Sequence, residues 1–233
     1  MGLTGTGKSS FIRLLTNSDV TISHSLAACT AEVGVYSFET SGGHLVTLID
    51  TPGFDDTHRS DTEILQDVAY FLSEVYSQEL KLAGIIYLHR IFDTKMGGSA
   101  LRNLNMFQAL CGETGMSHVV LATTMWDKLQ SVEAFEEGER KEAELRSDYW
   151  ADMLKFGSQT FRHNNTRDCA LRIINHILSL SGKAVLKIQR EMIDDKCRLD
   201  QTQAGQQLQK ELLEQNAKHE RQLQQAQQYH EAA

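Results

Sequence analysis

The chain has one proline, Pro52, among 233 residues, so elsewhere no residue bars a helix by lacking its N–H. It also has no apolar run near the roughly 20 residues that a membrane-crossing helix needs. No charged-then-apolar leader opens it, so the sequence reads as a soluble protein without a transmembrane segment. There is no C-x-x-C pair: Cys29, Cys111, Cys169 and Cys197 stand far apart with no histidine at ligand spacing. That pattern excludes a zinc ribbon or disulfide framework and fits reduced thiols in a cytoplasmic setting. Basic residues are outnumbered, 23 Lys and Arg against 31 Asp and Glu, for a formal net charge of −8. That balance argues against a nucleic-acid partner, which needs clustered positive charge, and none is expected.

What is present begins at once. Gly2-Leu3-Thr4-Gly5-Thr6-Gly7-Lys8-Ser9 follows Met1 directly and fits G-x-x-x-x-G-K-[ST]. Gly2, Gly5 and Gly7 let backbone N–H groups around Thr4, Thr6 and Ser10 curl round a β-phosphate. Lys8 reaches β/γ oxygens, and Ser9 offers a hydroxyl to Mg²⁺. The apolar residues Phe11, Ile12, Leu14 and Leu15 then recur at helical spacing, placing a helix N-terminus at the phosphates. Such a loop is expected to follow a buried strand, for which no residues precede Met1 here. The expectation is a protein whose natural start lies upstream, or a chain that binds its nucleotide weakly.

Two strands are expected next, 33–38 and 44–50, turned by Ser41-Gly42-Gly43 into an antiparallel hairpin. A helix should start at Asp61 as N-cap, with Ile64, Leu65, Val68, Ala69 and Leu72 on one face. The continuous apolar runs 82–88 and 119–124 look like parallel strands covered on both faces, with a helix over 101–110 between them. A helix over 133–154, a short strand at 160–161 and a helix over 168–180 complete an alternating series. Beyond Gly182 the chain is rich in Gln, Glu and Lys, and one long helix is expected there, although Gln215, His219 and Gln222 interrupt any heptad. The architecture is therefore a three-layer α/β domain over 1–181, its sheet mostly parallel with one antiparallel edge and lacking the strand before the loop. A helical, coiled-coil-like arm occupies 182–233.

Asp50-Thr51-Pro52-Gly53 ends an apolar strand. There Asp50 can face Mg²⁺ through water and the Gly53 amide can face a γ-phosphate. Thr124-Met125-Trp126-Asp127 ends the strand at 119–124, where Asp127 can pair with the N1–H and N2–H of guanine or, alternatively, cap a helix. It departs from N-K-x-D: Thr124 replaces the Asn, and Met125 loses the lysine stem. Asn164, in Arg162-His163-Asn164-Asn165-Thr166, follows the last strand at the height of the guanine oxygen. His89, His118 and His163 show no ligand spacing and read as structural or exposed.

These motifs, with Ser25 to Thr30, the Ile49–Asp56 run, Leu88-His89-Arg90 and Met96-Gly97-Gly98, resemble the septin-related branch of P-loop GTPases. The GTPases of immunity-associated proteins, the chloroplast import-receptor GTPases and fungal G-domain proteins are similar over about 2–180. The resemblance implies a G domain using GTP/GDP and Mg²⁺, with a switch threonine completing the metal shell. Thr30 is the first choice and Ser25 the second, so Lys8 and Thr30 would be the catalytic residues and Ser9, Thr30 and Asp50 the metal residues. Phe54 stands where a glutamine orients water in Ras-like enzymes and cannot hydrogen-bond to it. Slow hydrolysis is implied, helped across a homodimer at the nucleotide face, with Arg90, Lys95 or Arg102 reaching over. The expected function is a GTP-hydrolysing switch. A nucleotide-dependent dimerising scaffold with little hydrolysis is the other reading, and an ATP-binding protein stays open because of Met125.

Overall fold

The computed structural model describes residues 1–16, 33–80, 82–93 and 96–231. Thr30, Ser25 and Lys95 lie outside them. Helix α1 (Lys8–Leu15) leaves the glycine loop and buries Phe11, Ile12 and Leu15 on one face. Strands β1 (Gly34–Glu39) and β2 (Leu45–Asp50) form the antiparallel hairpin, Gly34 opposite Asp50 and Glu39 opposite Leu45. Helix α2 (Asp61–Ser77) starts one residue earlier in role than the sequence implies. Its N-cap is Ser60, not Asp61, because the Ser60 hydroxyl accepts from the Glu63 N–H while the Glu63 carboxylate accepts from the Ser60 N–H.

The second sheet is parallel, in the order β3 (Ile85–Arg90), β4 (Val119–Thr124), β5 (Gln159–Arg162). Strand β4 is buried along its whole length. Its alternation divides the core: Val119 and Leu121 pack with α2, α3 (Gly98–Gly115) and the C-terminal segment, whereas Val120 and Ala122 pack with α1 and α6 (Arg167–Ser179). These are the three layers. The apolar run 82–88 becomes a strand only from Ile85, since Leu82 is taken by an antiparallel bridge to Ala184, whose N–H donates to the Leu82 carbonyl at 2.8 Å.

The mostly parallel sheet is split. Among the described residues β1–β2 and β3–β4–β5 are separate sheets, and no strand bond joins β2 to β3. Met1 to Leu3 stands in the gap: the Met1 amine donates to the Ile86 carbonyl at 2.7 Å, and the Leu88 N–H donates to the Met1 carbonyl at 3.0 Å.

Two expected single helices are broken for the same reason. Within 133–154, α4 (Val132–Glu144) passes through a π turn at Leu145–Tyr149 into α5 (Ala151–Lys155). The wider turn, in which the Trp150 N–H reaches the Leu145 carbonyl at 2.7 Å, rotates the helix so that Leu145, Trp150 and Met153 face the core. After Gly182 the chain makes a short α7 (Lys187–Gln189), a π turn and a 3₁₀ turn before α8 (Gln203–Glu231). Leu186 and Ile188 are fully buried, and the Gln189 amide donates to the Leu72 carbonyl at 2.9 Å, anchoring the tail to α2. Ala204 and Leu208 then place the start of α8 in the main core.

Leu208→Ala should therefore lower unfolding free energy by about 2–4 kcal/mol, whereas Leu213→Ala, at a position 62% exposed, should stay within about 0.5 kcal/mol. Urea unfolding of both variants checks the contrast. Equal effects would place the first turns of α8 outside the core.

Candidate functional site

The carboxyl ends of the parallel strands converge on the glycine loop, the place where open α/β sheets hold ligands. Gly5 and Gly7 adopt φ of +78° and +94°, a left-handed conformation that lets the loop wrap inward before α1 begins. Two ties fix the loop to the turn after β2. The Thr4 N–H donates to the Phe54 carbonyl at 2.9 Å, and the Thr4 hydroxyl donates to the Gly53 carbonyl at 3.2 Å. Leu3 and Phe54, both buried, form a parallel bridge behind them. At Gly53 the approach is close enough that a Cβ would stand 2.5 Å from the Thr4 hydroxyl and 2.7 Å from the Lys8 Nζ. Only glycine fits there.

An open polar cavity of about 410 Å³ results, lined among others by Thr4, Gly5, Lys8, Ser9, Asp50 and Gly53. The Ser9 hydroxyl donates to Asp50 Oδ2 at 2.7 Å. The other carboxylate oxygen of Asp50 and the Thr51 hydroxyl are buried with no hydrogen-bond partner among the described residues. Lys8 Nζ donates to the carbonyls of Gly2 (3.1 Å) and Leu3 (2.9 Å). Burial lowers its pKa to about 8, against the opposing pull of Asp50 and Asp56. A hydroxyl beside a carboxylate with an unsatisfied oxygen is a hard-oxygen donor set that fits Mg²⁺. A half-buried lysine beside a glycine-rich loop fits phosphate.

The residues expected at the base are arranged differently. The Thr124 hydroxyl is buried and donates to the Thr6 carbonyl at 3.0 Å, so it braces the loop. Asp127 lies in the 3₁₀ turn Trp126–Lys128 and is not its N-cap; its carboxylate stands 3.8 Å from Lys128 Nζ. The N-cap is Met125, held at φ +66°, a costly conformation for a residue with a Cβ. The Asn164 carbonyl oxygen accepts from the Thr166 hydroxyl at 2.9 Å. Thr124, Asp127 and Asn164 do not line this cavity, which holds Gly5, Lys8, Ser9, Asp50 and Gly53 together. Ser10 is exposed on α1, and Gly2 and Thr6 are buried behind the loop.

Two residues stand differently from the sequence expectation: His163, which read as structural or exposed, and Arg90, expected to reach across a dimer. His163 is buried, edge-on to Phe11 at 5.1 Å, and its Nδ1 has no partner among the described residues. Its pKa is lowered by burial, with Asp127 pulling the other way. Its position directly after β5 was the available signal. Arg90, at the end of β3, pairs with Asp93 at 3.0 Å and brings Nη1 to 3.3 Å from where a Gly5 Cβ would stand. It thus adds positive charge to the loop of its own chain. Arg102 instead donates to the Ser99 hydroxyl within its own helix.

Residues 1–93 match the family described as 50S ribosome-binding GTPase. In structure the chain is similar to Toc33 from Arabidopsis thaliana in complex with GDP and Mg²⁺, at TM-score 0.62 and 15% identity, over 80% of this chain and 85% of that one. The fold is that of a P-loop GTPase G domain. Toc33 with Mg²⁺ and GMPPNP aligns at TM-score 0.61 and 14% identity, with coverage of 80% and 85%. A structure of the chloroplast translocon components atToc33 and psToc159, whose dimerization is important for GTPase activity, aligns at 0.60 and 15%, with coverage of 79% and 83%. By sequence, no curated protein matches the chain. No helix among the described residues of this G domain is long and apolar enough to cross a membrane.

The G domain carries a stability cost at Lys8. A lysine pKa lowered from 10.5 to about 8 in the folded state means that the unfolded chain holds more protons between those values. Stability without nucleotide therefore rises as pH climbs from about 8 to 10.5. Lys8→Met should flatten that rise and raise apo stability at pH 7 by about 2 kcal/mol. Urea midpoints measured across this range check both effects, and an unchanged slope in the variant would assign the rise elsewhere.

Proposed function

We propose that this protein binds GTP with Mg²⁺ and hydrolyses it slowly to GDP and phosphate, as a switch. The observation that carries the reading is the Ser9–Asp50 hydrogen bond, beside an Asp50 oxygen without a partner among the described residues and the half-buried Lys8. In this reading Gly2 to Ser10 hold the phosphates, with Lys8 neutralising β/γ charge and the Gly53 N–H facing the γ-phosphate. Ser9, Asp50 and Thr30 hold Mg²⁺, which when bound draws negative charge off the phosphate oxygens. Asp127 reads the guanine, Asn164 stands by its oxygen, and Thr124 braces the loop. The match of residues 1–93 and the nucleotide and Mg²⁺ complexes of the Toc33 structures support this. The motif order supports kinship with the septin-related and immunity-associated GTPases. Scattered free thiols at Cys111, Cys169 and Cys197 support a reducing, cytoplasmic setting. Residues 182–233 would serve as a helical arm on the G domain.

Slowness follows from Phe54. Its ring is 1% exposed and packs with Leu3 in the core, so no side chain at that position meets a nucleophilic water. Charge neutralisation by Lys8, aided by Arg90 from the same chain, is what remains for catalysis. The second reading is a nucleotide-dependent homodimer with little hydrolysis, supported by the importance of dimerization in the Toc33 structures.

Phosphate release per molecule, measured against protein concentration, separates the two. A slow rate, on the order of 0.001–0.01 per second and rising with concentration, is expected for a dimer-assisted GTPase. No release at any concentration would overturn hydrolysis and leave the scaffold.

A further inference from the structure

Attack of water on a γ-phosphoryl group is helped by a side chain that holds the water in line, and the usual position for one is closed here. Phe54 turns its ring into the core, 1% exposed beside Leu3. The turn that Phe54 anchors continues past it. Asp55 takes a left-handed φ of +61°, which an aspartate tolerates better than most residues, and its N–H donates to the Asp61 carboxylate at 2.9 Å. The chain folds back, and Asp56 joins Thr4, Lys8 and Gly53 in the wall of the cavity of about 410 Å³. Burying the residue after Gly53 thus brings the one two places later to the site.

Asp56 is held there in one orientation. Its Oδ1 accepts from the His58 N–H at 2.8 Å, and its Oδ2 carries no hydrogen bond among the described residues. Its negative charge acts on the Lys8 ammonium, which shares the cavity. The other polar side chains are committed. The Thr4 hydroxyl donates to the Gly53 carbonyl, the Ser9 hydroxyl donates to Asp50, and the Thr51 hydroxyl is buried out of reach. The Tyr36 ring folds over its own strand, its hydroxyl 2.9 Å from where a Gly34 Cβ would stand. With Asp50 assigned to Mg²⁺, the acceptor oxygen left beside Gly53 and Lys8 is that of Asp56.

Resting on the reading of this cavity as a GTP site, we propose that Asp56 holds the attacking water by accepting one of its hydrogen bonds, the role that Phe54 cannot fill. The water oxygen bonds to the γ-phosphorus as the bond from that phosphorus to the β–γ bridging oxygen breaks. The electron pair of the broken bond leaves on GDP. One proton of the water passes to a γ-phosphate oxygen and the other stays on the attacking oxygen, giving inorganic phosphate. Asp56 keeps its charge throughout, and Lys8 offsets its repulsion from the phosphate. A positioning contact is thereby added to charge neutralisation.

The test compares the full chain with Asp56→Asn in two measurements: affinity for GMPPNP with Mg²⁺, and the rate of GTP cleavage in a single turnover with protein in excess. The substitution is isosteric and keeps an oxygen for the His58 N–H, but it turns an NH₂ donor toward the water where an acceptor is needed. The cleavage rate should fall about tenfold or more while GMPPNP affinity stays within about threefold. Asp55→Asn, next to it and outside the cavity, should change neither. A role confined to the turn predicts an unaltered rate in Asp56→Asn, and that result would overturn the proposal. So would an equal loss in Asp55→Asn, a fall in rate matched by a fall in affinity, or GMPPNP binding by the unaltered chain with no GTP cleavage. Failure of the unaltered chain to bind GMPPNP at all would instead overturn the nucleotide reading, and the role of Asp56 with it.

Discussion

The seam between the glycine loop and the turn after β2 holds the molecule together. Thr4 donates to the carbonyls of Gly53 and Phe54, Ser9 donates to Asp50, and Leu3 and Phe54 close the interior behind them. Because β2 and β3 share no ladder among the described residues, this seam couples the hairpin sheet to the parallel sheet. It also shapes the polar cavity beside the loop, since Gly53 can approach Thr4 and Lys8 only without a side chain. Structure and chemistry meet in the same few bonds.

A second constraint bears on the loop from the other side. Thr124 at the end of β4 spends its hydroxyl on the Thr6 carbonyl, and Arg90 at the end of β3 sits beside Gly5. The parallel strands thus deliver a brace and a cation to the loop from their carboxyl ends. The cost is visible in Lys8, whose charge is desolvated in the free protein, and in Met125, whose left-handed backbone is strained. The first cost sits in the cavity that Thr4, Gly5, Ser9 and Asp50 also line, and a phosphate bound there would offset it.

Periodicity and motif spacing made much of this legible. The fully apolar run at 119–124 was readable as a buried strand because every residue is covered on one face or the other. The hairpin was readable from its alternation and the Ser41-Gly42-Gly43 turn. Spacing could not show where tertiary packing overrides local preference: the π turn that buries Trp150, the docking of 184–208, and the loss of Leu82 to Ala184. Of the site, the loop and the Asp50 turn have residue types dictated by close backbone approach, and such types mark a sequence. Thr124 acting as a brace, and His163 buried with a ring nitrogen unpartnered among the described residues, depend on what packs nearby. No spacing rule carries that information.

The central claim is that the loop and Asp50 form one site for a nucleotide and its magnesium ion. GTP affinity measured by equilibrium binding, with Mg²⁺ and then with the metal chelated, tests it directly in the unaltered chain and in Ser9→Ala. The account predicts binding about tenfold or more tighter with Mg²⁺, and loss of that gain in the variant. An affinity indifferent to Mg²⁺, or a gain that survives Ser9→Ala, would contradict it.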